Sequence, residues 1–136
     1  MVQMTVEYNG GLRCTLTHGP SGAVISTDAP KDNHGKGESF SPTDLVSAAL
    51  GACMLTIMGI YAKNHGLTIE GTTANVTKEM VADPDRRIGK LTVVMSLPAG
   101  IPKERRAALE NAAHTCPVNK SLRSEIDIPV QFNYPD

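Results

Sequence analysis

The sequence predicts a single domain, residues 1–136, that mixes strand hairpins with two helices, and three observations carry that reading. Val2, Met4 and Val6 alternate with polar neighbours, as do Leu91, Val93, Met95 and Leu97, which is the two-residue period of half-buried strands. Between these blocks, Leu45 to Ala62 runs for eighteen residues without a charge, far too long for a strand. Leu109, Ala112, Ala113 and Cys116 then recur at i, i+3, i+4 and i+7, one stripe of a second helix. A chain of 136 residues can bury one sizeable core but not two independent ones.

Taken in order, the opening strand breaks at Asn9-Gly10-Gly11, turn chemistry that predicts a hairpin. On the second strand Leu12, Cys14 and Leu16 share one face and Arg13, Thr15 and Thr17 the other, because strand side chains alternate. Cys14, beside two leucines, is therefore expected in the core. A turn at Gly19-Pro20-Ser21-Gly22 leads to a third strand over Ala23 to Thr27, and the polar stretch Asp28 to Ser39 reads as an irregular loop able to frame a site. Ser41-Pro42-Thr43-Asp44 opens the long helix, with serine at the N-cap, proline at N1 and an acid that complements the dipole. Asn64-His65-Gly66 supplies its stop. Residues 68–80 and 87–97 predict a second hairpin about Asp83-Pro84-Asp85. Pro102 starts the second helix, Pro117 ends it at Cys116 and opens a short helix over 118–124, and Ile128 to Tyr134 is a last strand.

Composition excludes several functions. A net charge of -1 offers no polyanion-binding surface, so nucleic acid is not an expected partner. The uncharged helix has the length of a membrane span, but Ser47, Gly51, Thr56 and Gly59 dilute it and neither an aromatic belt nor a basic flank accompanies it. It is expected as a core helix of a compact protein or dimer, with no membrane partner. The first residues lack the basic opening and apolar centre of a signal peptide, which predicts a cytoplasmic protein with reduced thiols.

Three cysteines are the natural place to look for chemistry. Mid-helix Cys53 is explained by packing as readily as by reactivity. The dipole has faded that far from the first turn, so a Cys53 thiolate would need a cation from elsewhere, for which Arg13 is the candidate. Cys116 has the better local case, because as the N-cap of the helix at Pro117 it would receive free backbone amides. On local physics alone Cys116 is the more acidic thiol. His114 near Cys116 is not zinc spacing, and no CxxC, HxxxH or GxSxG is present. No metal or cofactor is expected.

Three segments, GGLRCTLTHGPSG, SFSPTDLVSAALGACMLTIM and HTCPVNKSL, resemble the OsmC/Ohr family over nearly the whole chain. The resemblance implies an α+β fold in which an antiparallel sheet wraps long central helices in an intertwined homodimer. It implies a thiol peroxidase, with Cys53 peroxidatic, Cys116 resolving, a peroxide substrate and an external dithiol reductant. One departure stands out. Enzymes resembling Ohr carry a glutamate ten residues before the first cysteine, where it holds an arginine, and here that position is Thr43. Asp44 beside it would face about 100° away. Chemistry of the Cys53/Cys116 pair is therefore the leading expectation, with an OsmC-like binding, scaffold or redox-sensing protein as the alternative.

Overall fold

The computed structural model describes residues 1–136 as ten elements in two compact units, Met1–Val46 and Ser47–Asp136, the division falling within the long helix. Three strands, β1 (Met4–Gly10), β2 (Arg13–His18) and β3 (Val24–Asp28), form an antiparallel sheet in the first unit. The turn between β1 and β2 needs left-handed backbone at Gly10, Gly11 and Leu12 (φ +83°, +62° and +63°), which glycine adopts at no steric cost. The register sets Val6 opposite Leu16 and Leu16 opposite Ile25, so the three share one face. Val6 is 61% and Ile25 51% exposed.

That exposure overturns one expectation. Cys14, paired with Tyr8 and Thr27 in the sheet, is half-buried and stands outside the hydrophobic core. Alternation identified its face correctly, but the face of a three-stranded sheet becomes a core only where another layer covers it.

After a single 3-10 turn (Lys31–Asn33), the loop leads to helix α1 (Pro42–Asn64). Ser41 and Asp44 cap it reciprocally: the Asp44 amide donates to Ser41 Oγ at 3.0 Å and the Ser41 amide donates to Asp44 Oδ2 at 2.9 Å. This is a capping box with aspartate in the acidic role. It commits the Asp44 carboxylate to the helix terminus. Ser47, Leu50, Gly51, Met54, Met58 and Ala62 form one buried stripe, whereas Ala48, Ala49, Ala52, Thr56 and Ile60 on the remaining surface are exposed. The helix is long and apolar enough to cross a membrane by length and composition.

The second sheet pairs β4 (Thr73–Val81) with β5 (Arg87–Ser96) antiparallel and β5 with β6 (Val130–Asn133) in parallel. The hairpin is antiparallel as expected, and β6 adds one parallel neighbour to it. A parallel neighbour requires a long crossover, and helices α2 (Lys103–His114) and α3 (Pro117–Ser121) occupy it. The first strand of this hairpin starts five residues later than its Thr- and Ile-rich sequence suggests. Gly71 takes φ +90° and the Thr72 amide turns back to the Ile69 carbonyl, so 68–72 is a turn. Leu91, Val93, Met95 and Leu97 are buried as their alternation predicts, and they pack with Leu50, Met54, Met58, Leu109 and Ala113 in one core. Gly51 is where α1 needs a bare backbone, since a Cβ there would lie 2.9 Å from Val76 Cγ2.

Candidate active site

Cys53 and Cys116 meet in the second unit. Cys53 sits on the flank of the buried stripe of α1, half-buried and packed against the core cluster that contains Cys116. Cys53 lies close enough to Cys116 to raise its pKa. Both are free rather than disulfide-bonded. Residues 63 apart in sequence (116 minus 53) are brought together because Leu109, Ala113 and Cys116 turn the same face of α2 and its end toward the core.

Cys116 is the N-cap of α3 as expected, with Pro117 at N1 and the Asn119 amide donating to its Sγ at 3.3 Å. Its acidity is not as expected. Burial pushes the Cys116 thiol above its ordinary pKa, and the neighbouring Cys53 acts in the same direction, while the amides of Asn119 and Val118 oppose them without prevailing. The thiol is fully inaccessible to solvent. An amide dipole stabilises a thiolate, but a fully desolvated charge is the more costly of the two effects here. The expectation of an acidic Cys116 is thereby corrected, since its pKa is raised. It is a buried, protonated thiol held against a more exposed partner.

Arg13 lies in the first unit, opposite Asp28 on the adjacent strand. Its Nη2 lies 3.5 Å from Asp28 Oδ2 and 3.1 Å from Glu38 Oε1. Asp28 is 1% exposed, and its Oδ2 also accepts from the Glu38 amide at 3.0 Å. That backbone bond, with Arg13 and the amides of Ala29 and Lys36 adding to it, holds the carboxyl below its usual pKa against the opposing effect of burial. Oδ1 of the same group is buried with no hydrogen-bond partner. Thr43 engages Ser41, the hydroxyls 3.2 Å apart. Neither Asp28 nor Glu38 was singled out from the sequence. The signal for Asp28 was present, because a hairpin centred on Pro20-Ser21 puts residue 28 opposite residue 13. Glu38 reaches Arg13 from an irregular loop that no periodicity could place.

Known proteins share this fold. The family model for OsmC-like protein matches residues 35–131. A Psychrobacter arcticus 273-4 protein, named for the osmotic stress and detoxification response, is 44% identical, covers 98% of this chain and 96% of its own, and superposes with a TM-score of 0.92. Two more distant structures share the fold. An OsmC-like protein from Mycoplasma pneumoniae is 18% identical (98% and 96% covered, TM-score 0.83), and the organic hydroperoxide resistance protein OhrB of Bacillus subtilis is 20% identical (98% and 98% covered, TM-score 0.71). No curated protein matches the sequence. With the family model covering most of the chain and both cysteine segments inside it, the chain belongs to the OsmC-like protein family.

Proposed function

We propose that this protein is a cysteine-dependent hydroperoxide reductase that serves in defence against oxidative stress. The observation that carries the reading is the meeting of two thiols of unequal exposure, a half-buried Cys53 and a fully buried Cys116. The names of the Psychrobacter detoxification-response protein and of the hydroperoxide-resistance protein of Bacillus subtilis point the same way.

In the proposed cycle the Cys53 thiolate attacks the terminal oxygen of ROOH. The O–O bond breaks, an S–O bond forms, and the departing alkoxide takes a proton to leave as ROH. Cys116 then loses its proton and attacks the Cys53 sulfenic acid, forming the disulfide and releasing water. An external dithiol reduces the pair by two exchange steps and leaves as its own disulfide. The half-buried member of the pair is the one a peroxide can reach, and the fully buried member, kept as a thiol, is held in reserve for resolution. Arg13 is the cation proposed to favour the Cys53 thiolate. A reducing cytoplasm would supply the dithiol.

We further read the protein as a homodimer. The uncovered apolar face of the first sheet, with Val6, Leu16 and Ile25 in register, supports this reading, as does the uncharged exposed surface of α1.

The test is consumption of an alkyl hydroperoxide in the presence of a dithiol. Wild type is expected to turn over and Cys53→Ser to fall to the uncatalysed rate. Equal consumption by the two proteins overturns the assignment.

A further inference from the structure

Cys116 sits at the break between α2 and α3, and one side chain fastens the two helices across it. In a continuing helix the His114 carbonyl would accept from the Val118 amide, but the chain leaves helical backbone at Cys116 (φ -63°, ψ 139°) ahead of Pro117. The Val118 amide lies instead close enough to Cys116 Sγ to oppose the rise in its pKa. His114 is the last residue of α2, so its carbonyl is one of those that a helix end leaves to other donors. Asn119 supplies one, its Nδ2 donating to the His114 oxygen at 3.3 Å. A carbonyl only accepts, so the nitrogen end of the Asn119 amide is the end that faces it.

The same residue serves the sulfur. Its main-chain N–H donates to Cys116 Sγ at 3.3 Å, and its carbonyl accepts from the Leu122 amide at 3.4 Å. Val118 and Leu122, which flank it in α3 and at its end, pack against the core. The N–H aimed at the sulfur is therefore carried on a turn that the Asn119 side chain ties to the end of α2. Leucine or aspartate, close to asparagine in shape, would offer the His114 carbonyl no donor. Resolution of a sulfenic acid requires the attacking sulfur to lose its proton and to approach along one line. A sulfur and an N–H held in fixed relation favour both.

We propose that the Asn119 side chain is a positioning residue for Cys116: by clamping α3 to the end of α2 it holds the sulfur, and the N–H that serves it, ready to attack Cys53. This role rests on Cys116 being the resolving partner of Cys53.

The experiment follows formation of the Cys53–Cys116 disulfide without peroxide, in the full chain carrying Cys14→Ser. The Cys53 thiolate attacks one equivalent of the aromatic disulfide DTNB, forming a mixed disulfide and releasing one thionitrobenzoate. Cys116 then loses its proton to solvent and attacks the Cys53 sulfur, forming the protein disulfide and releasing the second thionitrobenzoate. Absorbance resolves the two releases, and peptide mass spectrometry identifies the disulfide. Asn119→Leu is expected to slow the second release about fivefold, as loss of one neutral hydrogen bond predicts, and to leave the first within about twofold of the parent. Asn119→Gln, which keeps a primary amide donor, is expected to restore the second release to within about twofold of the parent. A second release in Asn119→Leu within about twofold of the parent overturns the proposal. Equal slowing of both releases would show a structural role only and overturn it too. Asn119→Ala carries the same expectations and decides the matter if Asn119→Leu fails to fold. Selective slowing of the second release in a protein that consumes no hydroperoxide would uphold the positioning role and remove the peroxidase reading instead.

Discussion

The Asn119 amide donates to Cys116 Sγ at 3.3 Å, and yet the thiol it serves has its pKa raised. The helix-terminal bond and the burial compete at one sulfur, and burial prevails. The consequence is a division between a buried Cys116 thiol and a half-buried Cys53 beside it, which neither residue's sequence neighbourhood could supply.

That division predicts the order in which the thiols react. Brief treatment of the reduced protein with iodoacetamide is expected to modify Cys53 well before Cys116, by roughly tenfold or more in rate, since Cys53 is the more accessible and the raised pKa of Cys116 keeps that sulfur protonated. In Cys116→Ser, one equivalent of hydroperoxide is expected to leave Cys53 as a sulfenic acid that dimedone traps. In the wild type the same treatment is expected to give a loss of two hydrogens per chain, mapped to Cys53 and Cys116. Trapping of sulfenic acid at Cys116 in Cys53→Ser, as fast as at Cys53 in Cys116→Ser, would reverse the roles.

The depressed pKa of Asp28 makes a statement about acid stability. Its folded pKa lies below the unfolded value of about 3.9, so the native state holds fewer protons than the unfolded one in that window. The stabilisation is therefore complete above about pH 4 and is lost as pH falls through the folded pKa. Thermal melts between pH 6 and 2 are expected to show a shallower acid limb for Asp28→Asn than for wild type. Glu125, also lowered, through its own backbone amide first and then Arg123, contributes a second part of that limb, which Asp28→Asn leaves in place.

The first sheet provides a test of assembly. Val6→Glu puts a charge in the middle of the Val6, Leu16 and Ile25 row, where covering it in a dimer would desolvate it. Sedimentation velocity is expected to show a dimer for wild type and at least about 100-fold weaker association for Val6→Glu. Thr5→Glu, one residue away and on the opposite face of β1, is expected to leave the dimer intact. A wild-type protein that sediments as a monomer would remove the dimer reading altogether.

How much of this was legible beforehand depends on whether the cause was local. The capping pair at Ser41 and Asp44, the N-cap at Cys116 and the inward row Leu91, Val93, Met95 and Leu97 are all written in spacing and residue type, and the structure has them. The parallel course of β6 was not legible, because strand direction depends on the crossover that precedes it. Cys14 was misplaced because alternation gives a face without saying what covers it. The sharpest miss was the acidity of Cys116. Its amide donor is three residues away in sequence, but the burial that outweighs it comes from α1 and the second sheet, which are distant in sequence. Asp28 lay between these cases, since the hairpin centre fixed its pairing with Arg13 while its burial came from the fold.

A last expectation concerns the C-terminal end of the chain, where Arg106 of α2 makes three kinds of contact at once. Its Nη2 lies 2.8 Å from both carboxylate oxygens of Asp136, its Nε and Nη2 donate to the Ile101 carbonyl at 3.2 and 3.0 Å, and its guanidinium carbon lies 4.1 Å from the Tyr134 ring centre. The ion pair looks strongest on distance, but Asp136 is largely exposed, so water screens it and it contributes little. The carbonyl bonds and the stacking are better protected and depend on a planar fork. Asp136→Asn is therefore expected to change unfolding free energy by less than about 0.5 kcal/mol in guanidinium titrations. Arg106→Lys, which keeps the charge and loses the fork, is expected to cost about 1–2 kcal/mol, nearly as much as Arg106→Ala. Tyr134 extends the same unit, its hydroxyl donating to Glu110 at 2.8 Å. Burial and Glu110 push that hydroxyl well above its ordinary pKa, so its bond is fully present below about pH 10 and is lost as pH rises through the higher folded value. Tyr134→Phe should accordingly flatten the alkaline limb of the melting profile. If Asp136→Asn proves as damaging as Arg106→Ala, the exposed ion pair and not the fork holds this end of the chain.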